Sequence, residues 1–204
     1  MKWLALGDSY TCGEGVGRDE AWPALLSRWL AGQGVTEVET EVIARTGWTS
    51  GELLSALDDA APEGPFDLVT LLVGVNNQYR GQSISSFSAD LCSLLDRAVE
   101  WAGGAARRVV MISIPDWGAT PFADGRDRRA IAASIDAFNR IAATVARKGG
   151  IPWVDITDIS RRGATRPAWM AGDGLHPGSP MYAAWVDRIG PAALRALAVS
   201  PDRP

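Results

Sequence analysis

Serine, histidine and aspartate can together turn a hydroxyl into a nucleophile, and this chain carries them in two segments far apart in sequence. Gly7-Asp8-Ser9-Tyr10 follows the first apolar run, and Asp173-Gly174-Leu175-His176-Pro177 lies near the end. A serine hydroxyl is a weak nucleophile until an adjacent base accepts its proton. His176 is the only histidine, so a serine–imidazole mechanism has one candidate base. That base must be held in one tautomer through its other ring nitrogen. Asp173, three residues earlier, reaches it if the segment turns there. Attack on a carbonyl builds an oxyanion, which needs preorganised donors worth about 2.7–4 kcal/mol each. The Ser9 and Gly47 backbone N–H groups and the Asn76 side-chain amide are the candidates. Gly47 has no side chain to hinder close approach of its amide.

Such residues act only if the fold brings them together, and the hydrophobic pattern says how. Short apolar runs cover 3–6, 38–44, 68–73, 109–114 and 152–156. Between them lie segments with helical spacing: Trp22, Leu25, Leu26 and Trp29; Leu53, Leu54 and Leu57; Phe87, Leu91, Leu94, Leu95 and Val99. Ile131, Ile135, Phe138, Ile141, Ala142 and Val145 mark a fourth helix, and residues 182–197 a fifth. Steps of three and four place one face of each helix in a core. Continuous apolar strands alternating with helices predict a parallel sheet of about five strands in a three-layer α/β/α sandwich. In such sheets ligands bind outside the carboxyl ends of the strands. Ser9, Arg45-Thr46-Gly47-Trp48 and Gly74-Val75-Asn76-Asn77 each follow an apolar run, as that rule requires.

These blocks, in this order from residue 7 to 177, resemble the SGNH or GDSL-type hydrolase family. The resemblance implies a flavodoxin-like sheet and metal-free ester hydrolysis without a cofactor. It gives Ser9, Gly47, Asn76 and His176 the family's four named roles, with Asp173 completing the triad. Tyr10 stands where the family name has leucine, and Asn77 where the third block more often carries aspartate. The second change is expected to alter loop bonding more than chemistry, because Asn76 is the donor. The Gly-x-Ser-x-Gly signature of the ordinary α/β-hydrolase fold does not occur.

Other features sort by physical plausibility. Asp8 is expected to brace the nucleophile turn, and Cys12, with no basic neighbour to lower its pKa, to be inert. The segment 13–17 lacks the Lys-Ser/Thr of a phosphate loop and reads as a flexible loop. Of nine tryptophans, Trp48, Trp117 and Trp169 fall in loops at the expected catalytic edge and are candidate substrate walls. Asn77, Gln78, Tyr79 and Arg80 extend the Asn76 loop, with Asn77 and Arg80 candidate substrate contacts and Arg80 a candidate for meeting an anionic group. The arginine clusters at 107–108, 126–129 and 161–162 read as solvated ends of elements.

Length and composition bound the rest. The 204 residues suit one domain, 1–204, able to bury about 70% of its unfolded surface. A net charge of −4 argues against a nucleic-acid surface. No run approaches the ~20 apolar residues of a membrane span. Residues 1–8 are too briefly apolar for a signal-peptide core, and two cysteines make no disulfide framework, so a cytoplasmic location is the expectation. Short loops leave no obvious lid, which favours small esters with short acyl chains. Acyl transfer and carbohydrate deacetylation would use the same residues. A non-catalytic flavodoxin-like binding module is the alternative of another class. Oligomeric state is left open.

Overall fold

The computed structural model describes residues 1–198; the single-domain expectation ran to residue 204, so 199–204 lie outside the described residues. Strands β1 (Lys2–Gly7), β2 (Glu39–Ala44), β3 (Leu68–Leu72), β4 (Val109–Ile112) and β5 (Trp153–Val154) form one sheet. Its order is β2-β1-β3-β4-β5 and every pairing is parallel. This is the flavodoxin-like order expected of a doubly wound sheet. β1, β3 and β4 are the inner strands with near-complete burial, as their unbroken apolar runs require. β2 departs from that pattern. It is an edge strand on the unpaired rim, with Glu39, Glu41 and Val42 exposed and Thr40, Ile43 and Ala44 half-buried.

Helices cover both faces. α1 (Ser9–Cys12) is a single turn after β1, and α2 (Trp22–Gly32) packs on the last helix, α8 (Ser179–Leu197). Their shared layer buries Trp22, Leu26, Leu30, Tyr182, Trp185 and Ile189. The other layer is α3 (Ser50–Ala60), α5 (Ile84–Trp101) and α6 (Arg128–Lys148), packed in series. There Phe87 and Phe138 bring their rings to 5.0 Å. Three short helices escaped the periodicity pattern: α1, α4 (Val75–Tyr79) after β3 and α7 (Thr157–Gly163) after β5. One or two turns carry too few apolar positions to register as a stripe.

Local chemistry sets the helix starts that matter for the site. Thr49 and Glu52 form a reciprocal capping box at α3. At the end of β1, Gly7 meets the next turn so closely that an added Cβ would lie 2.2 Å from Thr11 Oγ1 and 2.6 Å from the Leu72 carbonyl oxygen. Glycine is therefore required for the chain to fold back sharply after β1, and that turn presents Ser9. No helix among the described residues is long and apolar enough to cross a membrane.

Candidate active site

Ser9 opens α1, so its N–H has no intrahelical acceptor. Asp8 caps the turn: its Oδ1 accepts the Tyr10 N–H at 3.0 Å. This is the bracing expected of it. Asp8 is fully buried and its Oδ2 has no hydrogen-bond partner among the described residues. Burial pushes its carboxyl up to about 7, against the lowering effect of the backbone hydrogen bonds.

Asp173 and His176 arrive on a loop closed by its own backbone. The Ala171 N–H donates to the His176 carbonyl at 2.8 Å, and the Gly178 N–H to the Trp169 carbonyl at 2.8 Å. Within this loop Asp173 Oδ1 accepts the Leu175 and His176 N–H groups, each at 2.9 Å. Asp173 Oδ2 lies 2.6 Å from His176 Nδ1, and His176 Nε2 lies 3.0 Å from Ser9 Oγ. The Tyr10 ring packs against the imidazole at 5.2 Å between centroids. Burial alone would raise the Asp173 carboxyl. The hydrogen bonds from the His176 ring and from the two backbone N–H groups outweigh it and hold the carboxyl below the usual range. An ionised carboxylate only accepts, so the imidazole proton resides on Nδ1 and Nε2 is free to accept from Ser9.

Two further segments face the same spot. Gly47 has φ +87°, a left-handed conformation that favours glycine. Its N–H is left without an acceptor among the described residues. Asn76, on α4, donates one Nδ2 hydrogen to the Trp48 carbonyl at 2.9 Å. A side-chain amide has two such hydrogens, so the second remains for a ligand while the first fixes the amide against the Gly47 loop. Ser9, Gly47, Asn76 and His176 all border one cavity of about 190 Å³. A serine backed by an oriented imidazole, beside converging N–H donors, can pass a proton and stabilise an oxyanion.

A scan against protein families matches residues 5–184 to the GDSL-like lipase/acylhydrolase family. The chain belongs to that family. It is therefore a GDSL-type esterase/acylhydrolase by descent. An arylesterase of Vibrio mimicus is 26% identical over 190 residues, covering 91% of this chain and 84% of the relative. Among solved structures, the crystal structure of TesA superposes with a TM-score of 0.75 at 24% identity, over 97% of this chain and 100% of that one. The psychrotrophic esterase EstA from Pseudoalteromonas gives 0.73 at 19% identity, over 97% and 99%. These likenesses carry the fold.

The outer pocket differs from the sequence-based expectation. Of the three loop tryptophans only Trp117 lines the cavity, where its Nε1–H donates to Gln78 Oε1 at 2.7 Å. Trp48 packs its ring toward the core and contributes its carbonyl to Asn76. Trp169 lies in a separate groove with Arg162 and Arg188, under the Arg166 guanidinium at 4.7 Å. Asn77 is fully buried and bonds the Ser50 N–H, the Ser50 hydroxyl and Gln82 Oε1. It ties α4 to α3 and is no substrate ligand, in keeping with the loop-bonding role expected for the aspartate-to-asparagine change. Arg80 is also engaged, pairing with Glu52 at 3.1 Å and donating to the Gly47 carbonyl. Its task is to pin the Gly47 turn to α3.

Three lining residues, Tyr79, Phe122 and Leu175, carry no wall signal in the sequence, although Tyr79 belongs to the Asn76 loop. Tyr79 sits one turn after Asn76 on α4 and so shares its face. Phe122 lies in the loop after β4, and its N–H donates to the Gly174 carbonyl at 3.1 Å, docking that loop on the Asp173–His176 segment. Leu175 enters the wall as the immediate neighbour of His176. The arginines that support this wall are not merely solvated ends. Arg161 pairs with buried Asp116 at 2.8 Å, and Arg128 donates to the carbonyls of Gly118 and Thr120 at 2.8 Å each. Among the described residues no group of three or more His, Cys, Asp or Glu side chains could hold a metal ion. Cys12 is half-buried, and burial pushes its thiol up despite the Thr46 hydrogen bond, as suits an inert side chain.

Proposed function

We propose that the protein hydrolyses carboxylic esters of short acyl chains through an acyl-Ser9 intermediate. The observation that carries this is the unbroken chain from Ser9 Oγ to His176 Nε2 at 3.0 Å and from His176 Nδ1 to Asp173 Oδ2 at 2.6 Å. Ser9 Oγ attacks the ester carbonyl as Nε2 takes its proton. Asp173 holds the tautomer and stabilises the imidazolium without itself being protonated. The oxyanion draws hydrogen bonds from the Ser9 and Gly47 N–H groups and from Asn76 Nδ2. As the tetrahedral intermediate collapses, His176 returns the proton to the departing alcohol. Water, activated by the same imidazole, then releases the acid.

Size supports the short acyl chain. The cavity of about 190 Å³ falls below the roughly 300–1,000 Å³ of sites for drug-sized ligands. The walls of Val75, Trp117 and Leu175 are apolar and suit a small hydrocarbon or aryl group. Wild-type protein should cleave p-nitrophenyl acetate and be labelled on Ser9 by a fluorophosphonate. Ser9→Ala and His176→Ala should lose cleavage while keeping the wild-type circular dichroism spectrum. Full activity in either folded variant refutes the assignment. A profile of acyl chain length should fall off beyond short acids.

A further inference from the structure

The mouth of the cavity carries a feature that ester hydrolysis alone does not call for. Tyr79, Trp117 and Phe122 form a three-ring cluster, with centroid separations of 5.1, 6.1 and 6.4 Å. Tyr79 and Phe122 are 46% and 40% exposed, two of the three large hydrophobic side chains most open to solvent among the described residues. Exposed apolar surface continuous with a pocket marks a binding surface more often than chance packing. Over this cluster lies one guanidinium. Arg126 Cζ is 5.5 Å from the Tyr79 centroid and 5.3 Å from each of the other two.

That guanidinium has no carboxylate partner among the described residues. The acids beside it in sequence are engaged elsewhere. Asp124 pairs with Arg128 at 3.5 Å, and Asp127 caps α6 by accepting the Arg129 and Ala130 N–H groups. The other arginine near the cavity, Arg80, is committed to Glu52 and the Gly47 carbonyl. Glu14 stands on the Gly47 side of the site, bonded to Thr46. Arg126 thus places an unpaired positive charge on the aromatic side. One Arg126 Nη2 hydrogen donates to the Tyr79 hydroxyl at 3.5 Å; the ring faces and this contact fix the guanidinium while its other N–H groups stay available, and they fit a carboxylate or similar anion.

We propose that Arg126 is a specificity residue: it selects esters that carry an anionic group at the end remote from the scissile carbonyl, with Tyr79, Trp117 and Phe122 packing the apolar part between. The inference rests on Ser9 esterase chemistry, but its test is separate from that of Ser9. Two substrate pairs read it. The p-nitrophenyl monoester of glutaric acid is compared with p-nitrophenyl valerate for an anion on the acyl side. 4-Carboxyphenyl acetate is compared with 4-methylphenyl acetate for an anion on the alcohol side.

The quantity measured is the ratio of kcat/KM for the anionic ester to that for its neutral counterpart, in wild type and in Arg126→Gln. Intrinsic ester reactivity cancels when ratios are compared between proteins. Exposed ion pairs are worth up to about a fivefold effect, so Arg126→Gln should lower the ratio about three- to fivefold in one of the pairs, chiefly through KM. The responding pair tells which side of the ester the arginine serves. Added salt should shrink the wild-type preference. Arg129→Gln removes the same charge nearby without touching the rings, and serves as the control. A change below twofold in both pairs overturns the proposal, and so does an equal fall in Arg129→Gln. Loss of all ester cleavage by wild type would instead strike at the Ser9 assignment.

Discussion

Replacing Asp173 by asparagine tests the tautomer argument directly, because the structure dictates how the new amide must lie. Two backbone N–H groups, those of Leu175 and His176, converge on Oδ1 at 2.9 Å. They demand an oxygen there, so the amide must set its NH2 at the Oδ2 position, 2.6 Å from His176 Nδ1. An NH2 group only donates. Nδ1 must then become the acceptor, and the imidazole proton moves to Nε2. The Nε2–H now faces Ser9 Oγ at 3.0 Å and cannot take its proton. The equivalent change in a serine protease lowers kcat about 10⁴-fold, which is a barrier higher by about 5 kcal/mol. The same size of loss is expected here in kcat on p-nitrophenyl acetate at neutral pH. Both backbone hydrogen bonds survive the substitution, so the melting temperature should shift by no more than about 4 °C, the effect of about 1 kcal/mol in a domain of this size. Asp173→Ala removes their acceptor and should melt lower. A folded Asp173→Asn protein with kcat within tenfold of wild type refutes the proposed proton path.

Asn76→Ala should reduce kcat about 10²- to 10³-fold with a smaller change in KM, because the freed amide hydrogen is used only once the oxyanion forms; steady-state kinetics on a neutral ester check it. Gly47→Ala should destabilise by about 1–3 kcal/mol through backbone strain at φ +87°, since the nearest atom to an added Cβ, Arg80 Nη2, is an unobstructive 3.6 Å away; thermal melts and kcat should fall together. Asp8→Asn should flatten the pH dependence of stability. With its folded value raised to about 7, wild-type Asp8 binds a proton that the unfolded chain releases above about 3.9. Its contribution is therefore fully present at acid pH and lost as pH rises toward 7 and beyond. Melting temperatures of the asparagine variant, compared with wild type from mildly acid to neutral pH, should show the smaller decline. Asp173 works in the opposite sense: its lowered carboxyl favours the fold above the ordinary carboxylate range, and that support disappears as pH falls through its own value.

Much of the scaffold was legible because its signals are local. The apolar runs at β1, β3 and β4 are long enough and pure enough to mark buried parallel strands, and α5, α6 and α8 carry several turns of apolar stripe. The single histidine, the aspartate three residues before it and the serine after β1 needed no contact map to be paired as candidates. What failed were statements about direction. Asn76 and Asn77 are neighbours in sequence, yet one faces the cavity while the other is buried against Ser50. Consecutive helical residues point about 100° apart, so only the docking of α4 against α3 decides which asparagine meets a ligand.

The aromatic wall shows the same division. Sequence alone determined a candidate nucleophilic serine, a single candidate base and a parallel sheet to place them at one edge, because strand pattern and residue type are written locally. Whether Trp48, Trp117 or Trp169 reaches the site was decided by the tertiary structure. Trp117 does, because Arg161 on Asp116 and Arg128 on the Gly118 and Thr120 carbonyls hold its loop over the cavity. Trp169 is turned away under Arg166. Tyr79 and Phe122 meet at the cavity, with Arg126 over their rings, through packing between two segments about forty residues apart in sequence. A side chain's facing depends on how its loop is anchored by distant residues, and no window of sequence contains those anchors.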